Sequence, residues 1–156
     1  MAYVYGTTSS DILNADDGIT SGDDTVYAGD GHDTIRGLGG HDILYGEDGR
    51  DTIYGGDGVD WLDGGKNDDS LFGGDDNDYL LGQDGADELD GGKNDDYLAG
   101  GAGAGNRPWR ILHGARGPLQ PEEAGFSSAS GSNAKVAAVG PDNGAAYRAA
   151  MAKARA

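Results

Sequence analysis

The chain has 156 residues, 31 of them glycine and none cysteine, with 28 acidic against 11 basic side chains and a net charge of −17. The lack of cysteine excludes disulfides and thiolate metal sites, and the acidity argues against nucleic acid, whose binding needs a basic patch. Glycine offers no side chain to bury and loses the most backbone entropy on folding, so such a chain needs stabilisation from outside its own core, and the charge points to a cation.

The N-terminus lacks the basic and apolar segments of a cleaved signal peptide, and no apolar run approaches the roughly 18 residues of a membrane span. A soluble chain is expected, and if it is exported, not through a cleaved N-terminal signal. Tyr3-Val4-Tyr5 reads as a first strand. Residues 6–14 then form a first full unit, with Asp11 and, two residues on, Leu13. Four inserted residues, 15–18, separate it from the rest.

From residue 19 to residue 99 the chain repeats every nine residues, nine times without insertion. The sixth position is always aspartate: Asp24, Asp33, Asp42, Asp51, Asp60, Asp69, Asp78, Asp87 and Asp96. The eighth is always aliphatic: Val26, Ile35, Leu44, Ile53, Leu62, Leu71, Leu80, Leu89 and Leu98. The first half of each unit is turn chemistry, as in Gly55-Gly56-Asp57-Gly58-Val59-Asp60. Where the fourth position is not glycine it is Ser9, Asn67, Asp76 or Asn94; Asn and Asp are the next-best residues in a left-handed backbone conformation. A fixed period of this kind is the signature of a solenoid.

These units resemble the repeats-in-toxin family, whose consensus is G-G-x-G-x-D-x-U-x with U a large aliphatic. The resemblance covers residues 6–99. It implies an all-β fold, a right-handed parallel β-roll (a β-solenoid) in which each unit is a six-residue turn plus a three-residue strand. Two units make one coil, and calcium ions sit between stacked turns. The ligands expected from it are the nine aspartates together with Gly31, Gly40, Gly49, Gly56, Gly58, Gly65, Gly74 and Gly85, whose flexible backbone brings carbonyls around the ion. Calcium takes six to eight hard oxygens from such groups. If each ion is shared by units i and i+2, nine contiguous repeats offer up to about seven sites.

The same stacking makes the ion necessary. Carboxylates on neighbouring coils lie about 4.8 Å apart and repel by roughly 0.9 kcal/mol in water, or about 3.5 at an effective dielectric of 20. One aliphatic per repeat is a thin core to oppose this. The expectation is a monomer that is unfolded at low calcium and folds on binding it outside the cell.

Alternation between two sheets leaves the seventh and ninth positions facing outward. One face then shows Tyr27, Ile43, Tyr45, Trp61, Tyr79, Leu81 and Tyr97, a stripe suited to a polysaccharide or another protein. The other shows Thr34, Arg36, Thr52, Tyr54, Ser70, Phe72, Glu88 and Asp90. No enzyme is expected: His32 and His41 fall on opposite edges as solvated turn residues, and G-x-S-x-G, H-E-x-x-H and phosphate-loop motifs are absent. An EF-hand loop is absent too. A glycan- or protein-binding module, or the repeat part of a secreted hydrolase or epimerase, is the alternative.

At residue 105 the composition breaks. Residues 1–105 hold 25 acidic and 4 basic side chains, whereas residues 106–156 hold 3 and 7. The roll is therefore assigned to 1–105 and a basic Ala/Gly-rich tail to 106–156. Its apolar cluster Pro108-Trp109-Arg110-Ile111-Leu112 suits a cap for the open end of the roll. Residues 121–142 read as a linker and 143–156 as a short helix. By family resemblance the tail is also placed to carry a C-terminal secretion signal; a disordered segment is the third reading.

Overall fold

The nine-residue period becomes one strand per repeat. A computed structural model describes residues 1–101, with the backbone of two further short strands. In chain order the strands are β1 (Tyr3–Tyr5), β2 (Ile12–Leu13), β3 (Thr25–Gly31), β4 (Thr34–Gly39) and β5 (Ile43–Gly49). Then come β6 (Thr52–Asp57), β7 (Trp61–Lys66), β8 (Ser70–Asp75), β9 (Tyr79–Asp84), β10 (Glu88–Gly92) and β11 (Tyr97–Ala99). The last two are β12 (Arg110–Ile111) and β13 (Lys135–Val136). Odd strands form one parallel sheet in the order β1-β3-β5-β7-β9-β11-β13, and even strands the other, β12-β10-β8-β6-β4-β2. The protein is an all-β parallel solenoid.

Register follows from the aliphatic eighth position. Val26 pairs with Leu44, Leu44 with Leu62 and Leu62 with Leu80 in one sheet; Ile35 pairs with Ile53 and Ile53 with Leu71 in the other. These side chains point inward and form one cluster with Val4, Leu13, Ile19 and Ala28. Those from Val26 to Leu98 are completely buried. Any slip by one residue would turn the column out to solvent.

Coil-to-coil pairing extends further than the expected three-residue strand. Beyond Tyr27↔Tyr45, the turn residues Gly29↔Glu47, Asp30↔Asp48 and Gly31↔Gly49 also align. The turns are themselves stacked, so their backbone groups find partners in the neighbouring coil. The insertion is absorbed outside this stack as a 3-10 turn, Ala15–Asp17. Asn14 caps it by accepting from Asp16 N–H at 2.9 Å, and Gly18 ends it in the left-handed region at φ 102°. Ile12↔Thr34 and Leu13↔Ile35 therefore keep their register across the four extra residues.

Two elements of the tail lie within the described backbone. Arg110–Ile111 aligns with Glu88–Leu89, and Lys135–Val136 with Tyr97–Leu98, one on each sheet. The readings of Pro108 and Trp109, of the 143–156 helix and of the 121–142 linker apart from Lys135–Val136 fall outside the described residues; Lys135–Val136 itself is strand, not linker. Among the described residues no helix is long and apolar enough to cross a membrane.

The outward faces carry ladders. Tyr5, Tyr27 and Tyr45 stack at 5.4 and 4.9 Å, Trp61 on Tyr79 at 5.7 Å, and Tyr79 meets Tyr97 at 6.0 Å. On the other face Arg36 lies 4.9 Å over Tyr54, which stacks on Phe72 at 5.0 Å. The aromatic stripe differs from expectation at its centre: Trp61 is only 6% exposed, and Tyr27, Tyr45, Tyr79 and Tyr97 are half-buried. Their rings face one another along the sheet, the arrangement strand aromatics take on neighbouring parallel strands.

Candidate metal centre

Each sixth-position aspartate sits where a turn enters a strand, and all nine from Asp24 to Asp96 are buried. One carboxylate oxygen has a clear task. Asp42 Oδ1 accepts the backbone N–H of Asp24 at 2.8 Å, one coil earlier, and Asp60 Oδ1 accepts that of Asp42 at 2.8 Å. The same bond joins Asp33 to Asp51, Asp51 to Asp69, Asp60 to Asp78, Asp69 to Asp87 and Asp78 to Asp96, at 2.8 to 3.0 Å. The seven i, i+2 pairs counted in the sequence are thus brought together. An eighth spans the insertion, with Asp11 N–H donating to Asp33 Oδ1 at 2.7 Å.

The second oxygen is different. Oδ2 of Asp33, Asp42, Asp51, Asp60, Asp69, Asp78, Asp87 and Asp96 is buried with no hydrogen-bond partner. A buried acceptor without a partner is costly, and more so when charged. From Asp42 to Asp96 each such oxygen faces the glycine at the first position of its own turn, a position read only as turn chemistry. A Cβ on Gly46 would stand 2.5 Å from Asp51 Oδ2 and 2.5 Å from the carbonyl oxygen of Gly64, one coil on. Gly37, Gly55 and Gly73 make the same cradle with Asp42 and Gly55 O, Asp60 and Gly73 O, and Asp78 and Gly91 O. The signal was present in the sequence, since this position is glycine in every repeat from Gly37 to Gly91.

The glycines expected as ligands divide into two groups. Gly31, Gly49 and Gly85, at the fourth position, lie beside Asp Oδ1: a Cβ there would stand 2.9, 3.1 and 2.7 Å from Asp33, Asp51 and Asp87. Gly40 and Gly58, at the same position, pack on the backbone of Gly22 and Gly40. Gly56, Gly65 and Gly74, at the second position, pack on the carbonyls of Leu38, Glu47 and Gly56 and take left-handed φ of 124°, 100° and 122°. As the turn chemistry implied, Asn67, Asp76 and Asn94 adopt the left-handed region, at φ 75°, 79° and 69°. Less expected, so do Leu38, Glu47 and Gln83 at the second position.

Burial is the main cause of the carboxyls' altered acidity. It pushes Asp42, Asp51, Asp87 and Asp96 up to about 6, Asp60 to about 7, and Asp69 and Asp78 to about 8. The N–H bond from the previous coil opposes this, and neighbouring carboxylates add to it. Asp33 is raised for the same reasons. Asp24 runs the other way: burial would raise it, but the N–H groups of Thr20 and Ala2 and the Thr20 hydroxyl outweigh burial and lower it.

This donor set fits a hard cation. It offers carboxylate and carbonyl oxygens and no sulfur, the chemistry that suits calcium. Among the described residues no three His, Asp or Glu side chains gather at one point, so the remaining oxygens must come from backbone. His32 and His41 are exposed and apart from the cradles. Each nevertheless has a partner: His32 Nδ1 accepts the N–H of Arg50 and His41 Nδ1 that of Val59, both at 2.8 Å. The roll's four basic residues also bridge coils, Arg36 on Tyr54 and, as ion pairs, Arg50–Asp68 at 3.1 Å, Lys66–Asp48 at 2.8 Å and Lys93–Asp75 at 2.7 Å.

The chain matches the RTX calcium-binding nonapeptide repeat in four overlapping copies, over residues 20–53, 37–71, 54–89 and 72–106. No curated protein matches it. The matched copies run through more than half of the chain and coincide with the stacked turns and their aspartates: the chain belongs to the RTX calcium-binding nonapeptide-repeat family.

Proposed function

We propose that this chain is a calcium-binding module whose roll folds when its stacked turns take up Ca2+ outside the cell. The observation that carries the reading is the row of eight buried Oδ2 atoms without partners; those from Asp42 to Asp96 each lie beside a first-position glycine, and at Gly37, Gly46, Gly55, Gly73 and Gly82 a carbonyl of the next coil lies there too. Asp33, Asp42, Asp51, Asp60, Asp69, Asp78, Asp87 and Asp96 would hold the cations, with first-position carbonyls such as those of Gly55 and Gly64 as further ligands. The bound cation supplies positive charge and oxygen coordination between turns that otherwise repel. Extracellular modules of this kind bind calcium at about 10⁻⁴–10⁻³ M, so the roll would be open in a low-calcium cytosol and closed after export. The rest of the design is structural, which favours a binding and folding module over an enzyme.

The division into a roll, 1–105, and a tail, 106–156, belongs to the same reading. The tail is basic where the roll is acidic, and the backbone of Arg110–Ile111 and Lys135–Val136 continues one sheet each. These facts support a tail that caps the roll. Isothermal titration of the whole chain tests the reading. Calcium is expected to bind saturably at several ions per chain, and Asp60→Asn to bind fewer. Absence of calcium-specific heat in both proteins would refute it.

A further inference from the structure

The first turn on each edge of the roll departs from the pattern of the others. In residues 6–11, Asp11 Oδ2 accepts Thr7 N–H at 2.6 Å and the Thr7 hydroxyl at 2.9 Å. In residues 19–24, Asp24 Oδ2 accepts Thr20 N–H at 2.6 Å and the Thr20 hydroxyl at 2.9 Å. Both hydroxyl oxygens also accept a backbone N–H two residues on, from Ser9 at 3.2 Å and from Gly22 at 3.1 Å. The same network is built twice, once on each edge. In every later turn the second position is left-handed, from Gly29 through Leu38, Glu47 and Gln83 to Gly101, whereas Thr7 and Thr20 are not. In those later turns, from Asp33 to Asp96, the corresponding oxygen has no partner.

We infer that Thr7 and Thr20 stand in for the cation in the first turn of each edge, so that the N-terminal coil is a cation-independent cap. The inference rests on the calcium reading above and divides its aspartates into two classes. Asp11 and Asp24, whose Oδ2 atoms are already satisfied, hold no ion of their own. Asp33 and those after it do. In these two turns hydroxyl and N–H donors from within the turn satisfy the oxygen that the later turns leave open to a cation. The inserted 3-10 turn, Ala15–Asp17, lies between the two threonine turns and closes on itself through Asn14.

The test counts calcium ions on the whole chain at saturation, by native mass spectrometry, with folding checked by circular dichroism. Asp11→Asn and Asp24→Asn are expected to bind as many ions as the wild type, and Asp60→Asn fewer. An ion lost from Asp11→Asn or Asp24→Asn overturns the cap. Should Asp60→Asn lose none, the ligand assignment falls and the cap with it, an outcome readily told apart from the first. A second readout does not depend on the aspartate variants folding. Thr20→Val is expected to lower the melting midpoint in calcium by about 4–8 °C with the ion count unchanged, while Thr20→Ser stays close to wild type. Equal midpoints for the valine and serine variants would contradict the inference.

Discussion

Asp60 shows what each repeat asks of a single side chain. Its Oδ1 ties two coils together, its Oδ2 waits in a glycine cradle, and burial pushes its carboxyl up to about 7. Asp60→Asn keeps the first contact and removes the charge. In saturating calcium it is expected to destabilise the roll by about 1.5–3 kcal/mol, the range for interactions of a charged group; in chelator it should stabilise it, because one repulsion is gone. Urea melts in the two conditions check the reversal of sign. The acidity shifts give a second expectation. A carboxyl whose folded value lies above its unfolded value near 3.8 favours the folded state in acid, and that advantage is lost as pH rises through about 6 to 8. In chelator, β-structure should therefore be greater at pH 5 than at pH 8. In calcium, protons compete, so the calcium midpoint should rise as pH falls through the same window. Circular dichroism at the two pH values reads both, and a chelated chain equally unfolded at each would contradict the assignment.

At the scale of the element, the strands bury one aliphatic per repeat and the turns bury one carboxylate. Leu62 is completely enclosed, and Leu62→Ala should cost about 2–5 kcal/mol in calcium, measured by thermal melting. Gly46→Ala places a methyl 2.5 Å from both Asp51 Oδ2 and the backbone Gly64 O, so the next coil must shift; it should lower both calcium capacity and the melting midpoint, read by ion count and thermal melting. The register of Val26, Leu44, Leu62 and Leu80 was legible because a period of nine admits only one alignment of aspartate and aliphatic. The fourth-position turn was legible too, since Asn67, Asp76 and Asn94 replace glycine with the residues that best tolerate a left-handed backbone. The second position was not, because Leu38, Glu47 and Gln83 have no local preference for φ near 70°; the stacked backbone imposes it. Nor was the cradle at the first position, which exists only once Gly64 O of the next coil is placed beside Gly46. The buried state of Trp61 was likewise hidden, as an outward position in a repeat says nothing of what packs on it.

For the whole molecule, strand pairing among the described residues is all one kind: within each sheet every strand is hydrogen-bonded in parallel to its neighbours in the stack. Stability in such a solenoid is a sum over nearest-neighbour interfaces, so cations bound between coils should make folding cooperative along the chain. The roll keeps 25 acidic residues against 4 basic, a charge that resists compaction until counter-charge is supplied. The most direct measurement is far-UV circular dichroism of the whole chain during a calcium titration from chelator, with magnesium as control. A cooperative passage from coil to β-structure is expected at sub-millimolar to millimolar calcium, and none with magnesium. A chain already β-structured in chelator at neutral pH, and unchanged by calcium, would contradict it.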